Sequence, residues 1–188
     1  MGKTVLLVLD VQNGVIQLLK NMDTYLDRLA PIIETARDKS IKIIYVTTAF
    51  RPDYPDLHPR NPSAPRVMPS KMFLEGDASV EIHPSVTPVQ GDVIITKRRV
   101  SSFTGTELDL VLRSLGAEHL VLAGLSTSGA VLSTVRQGAD LDYSLTVLED
   151  LCRDRDYELH DVLMKKVIAR QAQVVSSAQW VAGFGDEE

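Results

Sequence analysis

Short apolar runs alternate along this chain with stretches in which apolar residues recur every three to four positions. The short runs predict six strands, at 4–10, 41–47, 92–96, 119–123, 145–149 and 173–176. The stretches between them predict amphipathic helices. Strands that alternate with helices are typical of a parallel sheet covered on both faces. The pattern therefore predicts a three-layer α/β/α, Rossmann-like fold with a six-stranded, mostly parallel sheet.

Each predicted helix presents one apolar face to the sheet. These faces consist of Tyr25, Leu26, Leu29, Ile32, Ile33 and Ala36, of Leu108, Val111, Leu112 and Leu115, of Val131, Leu132, Val135 and Ala139, and of Leu159, Val162, Leu163 and Val167. Thr104 and Glu107 fit a capping box at the start of the second of these helices. The segment 49–91, in contrast, is proline-rich and lacks a regular pattern, and loops of that length are usually functional or mobile.

The composition is that of one globular domain. The chain has 188 residues, of which 44% are hydrophobic, and no segment reads as a linker between two cores. We therefore expect a single domain over 1–188. The single cysteine, Cys152, excludes an internal disulfide framework, and no apolar run reaches the length of a membrane span or a signal segment. These features predict a cytoplasmic protein.

Charge adds little to this picture. The formal net charge is −5, without a stripe of lysine and arginine, so nothing predicts binding to nucleic acid or to a membrane surface. The acidic residues at 186–188 are expected to be solvated. A small molecule is the partner that remains.

Polar groups follow three of the predicted strands. Asp10 ends the first strand, Lys97 follows the third, and a turn of small residues at 124–130 follows the fourth. Open parallel sheets bind ligands outside the carboxyl ends of their strands, and the first N–H groups of a helix favour negative charge. This predicts a ligand site. Taken alone, Asp10 equally fits a carboxylate held by backbone N–H groups, and Lys97 a lysine that extends to solvent.

The turn resembles that of the isochorismatase-like hydrolases, also called the cysteine hydrolase family. Gly124, Thr127 and Val131 match the family's turn, and Ala130 stands where the family has its nucleophilic cysteine. The stretch 7–12 resembles the family's catalytic aspartate strand, and 96–103 resembles its catalytic lysine segment. The resemblance covers nearly the whole chain and implies the strand order 3-2-1-4-5-6.

The resemblance also implies roles for individual residues. Asp10 and Lys97 are expected to be catalytic and to approach within ion-pair distance, with Ala130 marking a vacant nucleophile position. The expected substrate contacts are Gln12, Leu125, Ser126, Gly129 and Phe103. A cis peptide bond between Leu125 and Ser126 is expected as well. It would turn the N–H groups of Ser126 and Ala130 toward one anion hole.

Alanine at position 130 changes the expected chemistry. It has no atom that can attack a substrate, and Cys152 follows a different strand, so thiol catalysis is not expected. An acid, a cation and an anion hole remain. This set resembles the true isochorismatases, which have glycine at the cysteine position and cleave a vinyl ether by protonation. We therefore interpret the chain as a hydrolase of a small, anionic metabolite that works without a thiol.

Two alternatives stay open. The chain fits a catalytically silent relative that binds a small molecule or serves as an assembly subunit. It also fits a cysteine amidohydrolase in which Ala130 was introduced by engineering in place of cysteine. Because the family habitually pairs its subunits, we expect a homodimer or a higher homo-oligomer in each case.

The 49–91 segment carries further candidate ligands. Arg51, Arg60 and Arg66 suit the binding of a substrate carboxylate, although surface charge or a subunit contact explains them equally well. Asp56, His58 and His83 have a spacing similar to that of the zinc ligands of the family's nicotinamidases. They lie too far beyond the second strand for that site, so we expect no metal and no cofactor. His119 and His160 are expected on the surface.

Overall fold

The six strands form one sheet, in which every neighbouring pair is parallel and the order is β3-β2-β1-β4-β5-β6. A computed structural model describes residues 3–185, so the acidic residues at 186–188 lie outside the described residues. The strands are β1 (Lys3–Leu9), β2 (Lys42–Thr48), β3 (Val93–Lys97), β4 (Ala117–Leu125), β5 (Ser144–Arg153) and β6 (Gln173–Val175). The predicted fold class and strand order are confirmed.

Seven α-helices lie in the described part of the chain. They are α1 (Asn13–Ile16), α2 (Met22–Asp38), α3 (Ala64–Val67), α4 (Leu108–Leu115), α5 (Leu132–Asp140), α6 (Tyr157–Val162) and α7 (Ser177–Ala182). Two π-helical segments, Thr127–Val131 and Leu163–Val167, directly precede α5 and follow α6. None of the helices between residues 3 and 185 is long and apolar enough to cross a membrane.

Two hydrophobic cores lie on the two faces of the sheet. Successive residues of a strand point to opposite faces, so Leu7 of β1 packs with α4 and α5, whereas Leu6 packs with α2. Both leucines are fully buried. Burial of such a side chain contributes about 1.5–3 kcal/mol. The alternation along β1 accounts for the three layers.

Two predicted helix features are wrong. Thr104 does not cap α4, because its hydroxyl donates to Gln137 of α5 (2.9 Å), while the Thr106 hydroxyl accepts the N–H of Leu108 (3.2 Å). A tertiary contact here outweighs the local capping pattern. In α6, Leu159 and Val162 are 40% and 41% exposed. The helix widens to a π turn from residue 163, which rotates the buried face away from its α-helical position.

The proline-rich segment 49–91 has its own hydrophobic core. We call this core the small cluster; it consists of Phe50, Tyr54, Leu57, Ala64, Val67 and Phe73. The phenol of Tyr54 donates to the carbonyl of Met72 (2.8 Å). Helix α3 and two short 3-10 turns, Ala78–Val80 and Pro84–Val86, complete the segment. The segment is therefore packed rather than structureless, and it lies over the carboxyl edge of the sheet.

Candidate active site

Asp10 and Lys97 form a buried ion pair at the carboxyl edge of the sheet. Lys97 Nζ lies 2.8 Å from Asp10 Oδ2, and the two side chains are 3% and 10% exposed. Their strands are two places apart, roughly 10 Å at about 4.8 Å per strand, and the long lysine side chain spans β2. Asp10 has a φ of 51°, a conformation that aspartate tolerates. The predicted contact is confirmed.

Thr48 joins this pair from the strand between them. Its hydroxyl accepts a hydrogen bond from Lys97 Nζ (2.7 Å) and donates one to Asp10 Oδ1 (3.0 Å). Both carboxylate oxygens of Asp10 are therefore held by side-chain donors. The sequence analysis missed Thr48, although a polar residue at the end of β2 shares the sheet edge with Asp10 and Lys97.

Gln12 supports Thr48 from behind and does not line the cavity. Its side-chain amide donates to the carbonyls of Thr48 (2.9 Å) and Val80 (2.7 Å), and its carbonyl accepts the N–H of Thr48 (2.7 Å). Gln12 is fully buried, and these bonds occupy its polar groups. The expected substrate contact at Gln12 is therefore corrected to a supporting role for the Thr48 backbone.

The turn after β4 brings Ala130 to the same cavity. The Leu125–Ser126 bond is cis, as expected, and residues 127–131 form a π-helical turn. Ala130 is 3% exposed. Within residues 3–185, the N–H group of Ser126, which lies between β4 and the π-helical turn, donates no backbone hydrogen bond. It remains able to bind an anion.

Gly124 allows the turn to approach β1 closely. Its φ is 138°, and a Cβ atom there would lie 2.2 Å from the carbonyl oxygen of Leu9. Only glycine combines this backbone conformation with so little space. The absence of a side chain at Gly124 therefore allows the turn to lie beside Asp10.

Two contacts from the chain after β5 hold the turn. Asp154, which is 9% exposed, accepts the N–H of Ser128 (2.7 Å). His160 Nδ1 forms a hydrogen bond with the hydroxyl of Thr127 (2.7 Å). Burial lowers the pKa of His160, and the nearby Arg153 lowers it further. The sequence analysis assigned neither residue to the site. It placed His160 on the surface, which is wrong.

His119 is half-buried rather than on the surface. It lies between the hydroxyls of Thr4 and Thr146, at 3.4 and 2.9 Å from its two ring nitrogens. Burial lowers the pKa of His119. It is remote from the cavity and has a structural role.

A cavity of about 460 Å³ opens above these groups. Six of the predicted site residues line it, namely Asp10, Lys97, Leu125, Ser126, Gly129 and Ala130. Phe103 does not, because it is 6% exposed and stacks on Tyr143 in the core with ring centroids 5.9 Å apart. The expected substrate contact at Phe103 is therefore wrong.

The arginines of the cavity are not those expected. Arg51 is 58% exposed in its side chain and pairs with Asp56 (3.1 Å), and Arg60 lies outside the cavity lining. The path of the 49–91 segment around the small cluster turns these two away. Arg66 lines the cavity as a candidate, and three arginines that the sequence analysis missed join it: Arg98, Arg99 and Arg155.

Asp56 is the centre of an ion-pair network beside the cavity. Its carboxylate accepts hydrogen bonds from Arg98 (2.7 Å) and Arg51 (3.1 Å), and Arg98 also pairs with Glu75. Burial alone would raise the pKa of Asp56, but these hydrogen bonds outweigh burial and lower it. Within the described residues, no three metal-ligating side chains converge to hold an ion.

Cys152 cannot replace the missing nucleophile. It is fully buried in β5, outside the cavity lining, and burial raises the pKa of its thiol to about 12. A thiol attacks as the thiolate. The described residues therefore place no reactive thiol at this site.

Comparison with known proteins assigns the family. The isochorismatase domain model matches residues 4–179, so the chain belongs to the isochorismatase family of hydrolases. It is similar to the ureidoacrylate amidohydrolase RutB of Pantoea ananatis, with 31% identity over 174 residues that cover 79% of this chain and 68% of that relative. The RutB protein of Serratia proteamaculans is also 31% identical, over 175 residues and the same shares of both chains.

Solved structures give the same fold. A cysteine hydrolase from Pseudomonas syringae pv. phaseolicola superposes with a TM-score of 0.91 at 21% identity, over 98% of this chain and 93% of the other. The N-carbamoylsarcosine amidase of Thermoplasma acidophilum superposes with a TM-score of 0.76 at 27% identity, over 93% and 96% of the two chains. The first likeness shows the fold alone.

Proposed function

We propose that this protein hydrolyses a small, anionic metabolite without a thiol nucleophile, by cleavage of a vinyl ether. The observation that carries the proposal is the buried Asp10–Lys97 pair, which lines the same cavity as Ala130. An acid and a cation are in place, whereas no nucleophilic side chain stands at position 130. A reaction in which water is the nucleophile fits this set of groups.

Asp10 is the proton donor in this proposal. It transfers a proton to the terminal carbon of the vinyl group, whose π electrons form the new C–H bond and leave an oxocarbenium ion. Water adds to that ion and returns a proton to Asp10. The resulting hemiketal then breaks into a ketone and an alcohol. An enzyme nucleophile is not needed at any step.

Lys97 and Thr48 control the charge around Asp10. Lys97 donates to both Asp10 and Thr48 in the free protein. A substrate carboxylate that approaches Lys97 shares its ammonium group, so that this positive charge is no longer committed to Asp10 alone. Lys97 thus serves as the electrostatic stabiliser of the bound anion.

The surroundings of the pair support an anionic substrate. Arg66, Arg99 and Arg155 line the cavity, and guanidinium groups bind carboxylates in a bidentate manner. The N–H group of Ser126, which donates to no backbone carbonyl in the described part of the chain, adds a neutral donor. The RutB relatives are amidohydrolases and the Thermoplasma acidophilum protein is an amidase, according to their names, which describe hydrolysis of an amide-type C–N bond. We infer that this chain departs from a thiol-dependent form of such a reaction because of Ala130.

Removal of the proton donor tests the proposal. Asp10→Asn should abolish turnover of a carboxylated vinyl ether while circular dichroism shows an intact fold. Thr48→Val should lower the rate. Asp161→Asn is the matched control, because Asp161 is exposed and pairs with Lys165 away from the cavity. Undiminished turnover by Asp10→Asn would exclude the acid role, and no turnover by the unchanged chain would favour a silent binding protein.

A further inference from the structure

The cavity is lined by two chemically different sets of residues. The polar set lies at the ends of the strands, with Asn61, Ser63 and Arg66 added from the 49–91 segment. The apolar set comes from the chain around α1 and from the small cluster: Val15, Leu18, Leu19, Phe50, Leu57, Val67 and Phe73. A substrate made only of polar groups would leave this second set without a partner.

Two apolar residues of the cavity are exposed. Leu18 is 39% exposed and Val100 is 48% exposed, and both line the cavity. Water contact with such side chains is unfavourable by about 25 cal/mol per Å² of apolar surface. The volume of about 460 Å³ lies within the range of roughly 300–1,000 Å³ that is typical of pockets for ligands of drug size, which are lined mostly by apolar side chains.

Two arginines of the cavity are free to bind an anion. The side chains of Arg66 and Arg155 make no hydrogen bond and no ion pair with any other described residue, whereas Arg98 is committed to Asp56 and Glu75. The carboxylates in the lining are already engaged. Asp10 pairs with Lys97, and Asp154 accepts backbone N–H groups. The uncommitted charge in the cavity is therefore positive.

We propose that the ligand of this cavity is an amphiphilic anion: a carboxylate joined to an apolar aliphatic or aromatic body. The carboxylate lies at the arginines and Lys97, and the apolar body lies against Leu18, Val100 and the small cluster. This inference deepens the proposed function. It rests on that proposal for the reaction, whereas the binding of the anion does not depend on it. It distinguishes this protein from a hydrolase of short, fully polar acids.

Titration calorimetry with straight-chain carboxylates from propanoate to octanoate tests this assignment on the full, unmodified chain. Affinity should rise about fourfold for each added methylene until the cavity is filled. Each carboxylate should bind at least tenfold more tightly than the alcohol or the alkylammonium ion of equal length. An affinity that does not change with chain length, or equal binding of the alkylammonium ions, would overturn the proposal.

Variants localise the two ends of the ligand. Leu18→Asn and Val100→Asn should weaken octanoate binding at least tenfold and leave propanoate binding unchanged. Leu110→Asn is the matched control, because Leu110 is 69% exposed on α4 and lies outside the cavity. Arg66→Gln with Arg155→Gln should weaken all carboxylates but not the alcohols.

One outcome would assign the apolar residues to another partner. If Leu18→Asn and Val100→Asn dissociate an oligomer and leave octanoate affinity unchanged, these residues form a subunit contact and the proposal is wrong. These experiments measure binding without turnover. A failure of the binding proposal is therefore distinguishable from a failure of the proposed reaction.

Discussion

Replacement of Lys97 by methionine tests whether the ion pair is as buried as the geometry indicates. Methionine keeps most of the apolar stem and removes the ammonium group, which lies 2.8 Å from Asp10 Oδ2 and 2.7 Å from the Thr48 hydroxyl. Asp10 then keeps Thr48 as its side-chain donor, in a site where its side chain is 10% exposed. Loss of one partner of a buried pair costs about 3–5 kcal/mol, because the remaining charge is not rehydrated.

Urea unfolding at neutral pH measures this cost. We expect Lys97→Met to lower the free energy of unfolding by about 3–5 kcal/mol. The double variant Asp10→Leu with Lys97→Met should recover most of the loss, because it leaves no unpaired charge. Lys165→Met is the matched control, since its pair with Asp161 has the same 2.8 Å distance but is exposed, and it should change little. A loss below about 1 kcal/mol for Lys97→Met would refute the burial argument.

Three further predictions follow from particular contacts. Gly124→Ala should lower the free energy of unfolding by about 4 kcal/mol or more, because its Cβ would lie 2.2 Å from the Leu9 carbonyl oxygen; a mild effect in thermal unfolding would contradict the close approach. Cys152 should react with iodoacetamide only as the protein unfolds, since burial raises its pKa to about 12, and rapid labelling of the folded protein would disprove this. His160 should titrate in NMR below its ordinary pKa of 6.5 because of burial. The unfolded chain then binds the proton at a higher pH than the folded protein, so the free energy of unfolding should fall as pH drops below about 6.5. An NMR titration midpoint of His160 at or above that value would contradict its half-buried placement.

Periodicity and strand ends predicted the parts of this protein that depend on local sequence. Apolar runs place the six strands, and a charged residue at the end of such a run, as at Asp10 and Lys97, lies at the carboxyl edge of the sheet. The vacancy at Ala130 followed from a resemblance rather than from periodicity. These features need no knowledge of distant contacts.

The residues that the sequence analysis misplaced depend on tertiary contacts. Gln12 has the polar amide of a ligand-binding residue, but its bonds to the Thr48 backbone are visible only once β1 and β2 are paired. Asp154 and His160 reach the turn from 26 and 33 residues along the chain. Arg66 lines the cavity and Arg51 does not, because of the path that the 49–91 segment takes around the small cluster. Spacing along the chain carries none of this information.

Hydrolysis of a carboxylated vinyl ether in D₂O tests the central claim most directly. Protonation of the terminal carbon by Asp10 predicts one solvent deuterium in the methyl group of the ketone product, which NMR and mass spectrometry detect. The unchanged chain should form this labelled product, and Asp10→Asn should not. The account would be contradicted if the unchanged chain forms no product while Ala130→Cys gains hydrolysis of a ureido acid or an amide.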